Sequence, residues 1–143
     1  MQNSADTRAL EHALDQWGVA WSSGNVDKLL LLFTDDVSYE DVTFGAVNTG
    51  KEALRNFATA ALAAFPGMTF EVKSRLVSSD GTAGAFEWVW RGKQIKDFPG
   101  LPATNTPFQV RGATVVEFRD AKISRCSDYW DLTTYMKQVG LIK

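Results

Sequence analysis

The sequence predicts an α+β fold, with helices on one face of a mostly antiparallel sheet. Three observations predict it. Apolar residues recur at helical spacing early in the chain: Leu10, Ala13, Leu14, Trp17 and Trp21, then Leu54, Phe57, Ala58, Ala61, Leu62 and Phe65. From Met68 the period changes to two, as in strands. Turn signals at Ser79-Asp80-Gly81 and Arg119-Asp120-Ala121-Lys122 divide that second half. At 143 residues the chain is one domain, 1–143, large enough for a core and an internal pocket.

The elements follow in order. Residues 6–23 read as a helix closed by Ser23-Gly24, with His12 off its apolar stripe. Asn25 caps a second short helix, Val26 to Phe33, and Asp27 suits its first turn. Asp35-Asp36 reads as a turn, and Val37 to Val42 as a short strand with Tyr39 and Asp41 on one face. Thr43 to Asn48 reads as irregular. Thr49-Gly50-Lys51-Glu52 has the form of a capping box for a third helix, which Pro66-Gly67 stops. Strands are expected over Met68 to Ser78, Thr82 to Arg91, Phe108 to Arg119 and Lys122 to Trp130. Between the middle two, the long Gly92 to Pro107 connection reads as a loop that gates a cavity. A short helix with Leu132, Tyr135, Met136 and Val139 on one face closes the chain.

Net charge is -2 with both signs mixed, which makes nucleic acid and anionic membranes poor partners. No stretch has the length of a transmembrane span, and Met1 to Thr7 carries no signal-like apolar run. The single Cys126 rules out an intrachain disulfide and fits a reducing, cytoplasmic compartment. One cysteine and one histidine do not make the usual zinc sites, and no Gly-rich phosphate loop is present. The expectation is therefore no metal and no cofactor.

The candidate chemistry lies in Ser127-Asp128-Tyr129-Trp130-Asp131. Strand alternation puts Asp128 on the face of Cys126 and Trp130, where partial desolvation raises a carboxylate's pKa. Asp131, at the strand-to-helix junction, reads as a helix cap. The plainer alternative for Asp128 is a buried carboxylate paired with a backbone N–H or with Arg91. Glu87 also reads as a sheet ion pair with Arg111 or Arg75. The alternating stripe Phe86, Trp88 and Trp90 is either core or, on the outer face of a sheet, a large apolar patch that predicts a homodimer.

Helix, helix, short strand, long helix and then a strand-rich half resembles the cone-shaped nuclear-transport-factor-2-like superfamily. Phe98-Pro99-Gly100-Leu101-Pro102-Ala103-Thr104, Val110-Arg111-Gly112, Asp128-Tyr129-Trp130-Asp131-Leu132 and Gln138-Val139-Gly140-Leu141 resemble its SnoaL-like polyketide cyclase group. The resemblance implies a curved sheet wrapped around three N-terminal helices. It places Asp128 where such cyclases and limonene epoxide hydrolases carry a catalytic aspartate. The epoxide hydrolases also use an Arg and an Asp two residues apart, where Glu87 and Val89 stand here. Asp41 falls where ketosteroid isomerases carry their general base; Trp17 stands for their oxyanion-hole tyrosine and Thr114 for their protonated aspartate.

The resemblance further implies one cavity lined by Trp17, Tyr39, Asp41, Phe57, Glu87, Thr114, Cys126, Asp128 and Trp130, with Asp41 facing Asp128 across it. Mostly aromatic walls with a few carboxylates suit a small, hydrophobic, polyketide-, steroid- or terpenoid-like molecule. The expected function is cofactor-free acid/base catalysis of the cyclase or isomerase type, with Asp128 and Asp41 as its catalytic residues. The alternatives are a non-catalytic, dimeric small-molecule-binding module and an epoxide-hydrolase-like enzyme.

Overall fold

The computed structural model describes the backbone from Ser4 to Lys143 and side chains from Thr7 onward. In chain order the elements are α1 (Ser4–Ser23), α2 (Val26–Leu30), β1 (Phe33–Asp41), β2 (Ala46–Thr49), α3 (Lys51–Ala64), β3 (Thr69–Val77), β4 (Ala83–Lys93), β5 (Pro107–Arg119), β6 (Lys122–Trp130) and α4 (Leu132–Gln138). The six strands form one sheet in the order β2-β1-β6-β5-β4-β3. Every neighbouring pair is antiparallel except β1 with β6. The sheet is therefore mixed, and the expected α+β architecture stands.

Helix α1 buries Leu10, Leu14, Trp17 and Trp21 and leaves His12 exposed. It crosses β3 closely: a Cβ at Gly18 would sit 3.0 Å from Val72 Cγ2 and 3.2 Å from the Phe70 carbonyl oxygen. The Ser22 hydroxyl accepts the Phe70 N–H at 2.9 Å and pins that crossing. Asn25 caps α2 as expected, its side chain accepting the Lys28 N–H at 3.1 Å.

The structure differs from the sequence expectation in three places that bear on the site. First, α2 ends at Leu30 and Phe33 already begins β1; Asp35 and Asp36 lie where the β1–β6 register shifts, not in a separate turn. Second, part of the run read as irregular is β2, an edge strand pairing Ser38 with Thr49 and Asp41 with Ala46. Third, the capping box does not form. Thr49 is held in β2, and Gly50, at φ 87, precedes α3 with no side-chain cap. Only glycine takes that backbone conformation without strain.

The core lies between the helices and the concave face of the sheet. Phe86, Trp88 and Trp90 are there, each at most 6 % exposed. The stripe is thus core, not an outer patch, and the homodimer expectation loses that motive. The opposite face of the same strand carries Glu87 and Arg91, which bond to Ser74 and Glu71 on the neighbouring strand β3.

The β4–β5 connection is well anchored. Gln94 is fully buried and donates to the Leu101 carbonyl at 2.7 Å, while accepting the Tyr135 hydroxyl of α4 at 2.5 Å. Phe98 and Leu101 exchange backbone hydrogen bonds at 3.0 and 2.7 Å and tuck their side chains inward.

Candidate active site

The parallel pairing of β1 and β6 builds the site. It sets Tyr39 opposite Cys126 and Asp41 opposite Asp128. Residues level on adjacent strands point to the same face. Asp41 is therefore beside Asp128 on the adjoining strand and does not face it across the cavity, which corrects the expectation.

Asp128 is 8 % exposed, and both its oxygens are held. The Tyr39 hydroxyl donates to Oδ2 at 2.5 Å and the Thr114 hydroxyl donates to Oδ1 at 2.7 Å. The Cys126 sulfur lies 3.9 Å from Oδ1. The Trp88 indole N–H donates to Thr114 Oγ1 at 2.8 Å, which commits the threonine proton to Asp128. Gly112 makes this possible, because any Cβ there would overlap the Trp88 ring.

Burial pushes the Asp128 pKa from 3.8 to about 7; the Tyr39 and Thr114 hydrogen bonds pull it down, and the Asp41 charge adds to the rise. Burial first, and then the neighbouring Asp128 charge, push the Tyr39 phenol and Cys126 thiol well above their ordinary values. Both stay neutral, so Tyr39 remains a donor. Asp41 is 6 % exposed; its oxygens accept the Trp130 indole N–H at 3.1 and 3.2 Å, and one accepts the Phe44 N–H at 3.0 Å. Burial raises its pKa, and those hydrogen bonds oppose the rise.

The two carboxylates open on a narrow cavity with about 40 Å³ of free interior space. Its other walls are almost wholly aromatic: Trp21, Phe44, Phe57, Phe65, Phe70, Trp88, Trp90, Phe98 and Trp130, with Ala61 and Met68. Of the residues expected from the sequence, the structure brings Asp41, Phe57, Asp128 and Trp130 to this wall. Tyr39, Thr114 and Cys126 sit behind Asp128 and act on it without reaching the cavity surface. Trp17 is fully buried behind the wall, stacked on Trp88 at 5.8 Å. Glu87 lies on the convex face, 3.9 Å from Arg111, so it is an ion-pair residue remote from the cavity.

Sequence reasoning missed Trp21, Phe44, Ala61, Phe65, Met68, Phe70, Trp88, Trp90 and Phe98 as wall residues. For the tryptophans of β4 the signal was present: the other face of that strand carries Glu87 and Arg91, which leaves the aromatic face for the interior. Among the described residues, no group of three or more His, Cys, Asp or Glu side chains is placed to hold a metal ion.

The sequence profile of the SnoaL-like polyketide cyclase family matches residues 11–139. A protein of ketosteroid isomerase-like fold from Catenulispora acidiphila, solved in complex with trimethylamine, is 28% identical with a TM-score of 0.77, over 90% of this chain and 92% of that one. The candidate polyketide cyclase IdmH from Streptomyces antibioticus is 24% identical with a TM-score of 0.76, over 92% and 98% of the two chains. A SnoaL-like protein from Jannaschia sp. CCS1 superposes with a TM-score of 0.83 at 15% identity, over 100% and 99%, and shows the shared fold. No curated protein sequence matches the chain.

Proposed function

We propose that this chain, which belongs to the SnoaL-like polyketide cyclase family, catalyses proton transfer on a small, uncharged, polyketide-like carbonyl compound. The single observation that carries the reading is Asp128, a buried carboxylate on an aromatic cavity wall with a pKa of about 7. A general base works best with its pKa near the working pH.

In the proposed cyclisation, ionised Asp128 takes a proton from carbon next to a carbonyl. The resulting enolate carbon attacks a second carbonyl carbon of the same substrate, forming the ring bond. The alkoxide so formed takes the proton back from Asp128, which restores the carboxylate. The step uses only the substrate and one side chain. Tyr39 and Thr114 set the basicity of Asp128 and hold its orientation. Asp41, held by Trp130 and Phe44, is the second carboxylate and orients a substrate hydroxyl.

A second reading has its own observation. The Catenulispora relative is solved with trimethylamine. Tryptophan faces with two carboxylates also form a site for a small alkylammonium ion. In that case the chain binds a ligand and turns nothing over. Asp128→Asn separates the two. Under the catalytic reading it keeps affinity for a neutral aromatic ligand and lowers turnover by about 10²–10⁴-fold. Under the binding reading it weakens trimethylamine, followed by tryptophan fluorescence, with no turnover to lose.

We further propose a cytoplasmic homodimer joined through the convex face of the sheet, where Leu76, Val115 and Tyr129 are exposed. The free thiol of Cys126 supports the compartment.

A further inference from the structure

Trp88 stands where the cavity wall meets the groups behind Asp128. It lies on β4, level with Gly112 of β5. Level residues on neighbouring strands share a face. A Cβ at Gly112 would come within 2.3, 2.6 and 2.7 Å of three carbons of the Trp88 ring. The ring therefore occupies the place of a β5 side chain. Two residues along β5, on that same face, comes Thr114, level with Asp128 of β6. The Trp88 N–H reaches the Thr114 hydroxyl at 2.8 Å, and that hydroxyl reaches Asp128 Oδ1 at 2.7 Å.

Trp88 decides where the Thr114 proton points. Thr114 is fully buried, so bulk water does not compete for it. A hydroxyl has one proton and rotates to suit its surroundings. An N–H aimed at its oxygen leaves that proton to point away, towards the carboxylate. A hydroxyl that accepts one hydrogen bond is also a stronger donor of the next, because bonds in a chain polarise one another. The indole is fixed in its turn. Trp88 is 2 % exposed, stacks on Trp17 at 5.8 Å and meets Phe70 edge-on at 4.9 Å between ring centroids. Burial alone does not bring such a bond about: the indole N–H groups of Trp17 and Trp21 are also buried and have no hydrogen-bond partner.

We propose that Trp88 is a positioning residue for proton transfer at Asp128: its indole N–H holds the Thr114 hydroxyl as a standing donor to Asp128 Oδ1. Trp88 acts through Thr114, and Gly112 is the residue that permits it. This rests on the reading of Asp128 as the acid/base group. It adds that a residue of the cavity wall tunes the base beside it.

NMR of the Asp128 carboxyl carbon tests it without a substrate. Protein labelled at its aspartate side-chain carbons is titrated, and the Asp128 signal is the one that Asp128→Asn removes. Thr114→Val should raise the Asp128 midpoint by about 1 pH unit, since a hydrogen bond to a charged group is lost. Trp88→Phe should raise it by roughly half as much. A void left by the smaller ring acts in either background, so the double variant isolates the N–H. With Thr114→Val already present, Trp88→Phe should add nothing. Thr114→Ser keeps the hydroxyl and should stay near the wild type. Gly112→Ala keeps the indole but pushes it aside, and should act like Trp88→Phe. A midpoint that Trp88→Phe leaves in place or lowers overturns the proposal, and so does an equal rise in the Thr114→Val background. Should neither Trp88→Phe nor Gly112→Ala fold, the wild type still decides. The Trp88 indole N–H resonance should then shift with the Asp128 midpoint, and an indole that ignores that midpoint overturns the proposal. A wild-type Asp128 that titrates in the ordinary carboxylate range sinks the proposed function instead. The effect of Trp88→Phe is still measurable in that case, so the two failures are distinct.

Discussion

Asp128 is pulled in two directions at once. Burial favours its neutral form, while two hydroxyl donors favour the charged form, and the balance falls at about pH 7. Tyr39→Phe removes one donor and leaves the desolvation in place. The Asp128 pKa should then rise, and the midpoint of the kcat/KM-against-pH curve should move above its wild-type position near 7. At pH 6, where ionised Asp128 is already the minor form, activity should fall several-fold further. A midpoint that stays put, or moves down, would show that Tyr39 does not set the basicity of Asp128. The adjoining Asp41 contributes its charge to the same balance, and that follows from strand pairing alone. Alternation in the sequence showed that Asp128 shares a face with Cys126 and Trp130, and that Asp41 shares one with Tyr39. It did not show the two faces to be the same, because parallel pairing of an early and a late strand leaves no local trace.

At the scale of elements, legibility followed the strength of the local signal. Strand β6 and the Asp131 cap were readable because alternation and cap chemistry are local; Asp131 accepts the Thr134 N–H at 2.9 Å as expected. Strand β2 was missed because Ala46–Thr49 is a short edge strand with no regular apolar alternation. The aromatic parity of β4 was readable, and the choice between core and outer face, left open in the sequence, falls to core, as the charged Glu87 and Arg91 on the other side of the strand already favoured. The β4–β5 connection was read as a gate. The structure gives it a rigid base at Gln94 and one inward residue, Phe98, on the cavity wall. Tyr135→Phe tests that base. It leaves Gln94 Oε1 buried with no hydroxyl donor from α4, and should cost about 1–3 kcal/mol in urea unfolding. A variant with wild-type stability would show that the tie to α4 is dispensable.

At the scale of the whole molecule, two properties follow from how the sheet divides the chain. Its convex face carries Leu76, Val115 and Tyr129 at 75%, 48% and 47% exposure. Leu76, Ala85 and Val115 are level across three strands and Tyr129 is level with Ala113, an apolar field interrupted by Glu87 and Ser127. If that field is a dimer contact, Val115→Glu should halve the mass seen by light scattering at micromolar concentration; a monomeric wild type would end the dimer reading. The concave face has a different consequence, in how stability depends on pH. Asp128 has a folded pKa of about 7 against an ordinary 3.8, so between those values the folded chain binds more protons than the unfolded one. Its contribution is complete below about pH 4 and is lost as pH rises through 7, a swing of roughly 4 kcal/mol at most. Asp36, Glu71, Asp80 and Asp131 have lowered pKa values, and their contributions are lost only as pH falls below the ordinary carboxylate range. The two windows do not overlap, so from pH 5 to 8 the slope belongs mainly to Asp128, with buried Asp41 adding the same sign at the acid end. Urea unfolding of the wild type should therefore show stability falling across this range, while Asp128→Asn should be nearly flat and the more stable of the two at pH 8. Equal slopes in the two proteins would mean that Asp128 is ionised in the folded state throughout, and the acid/base reading would lose its physical basis.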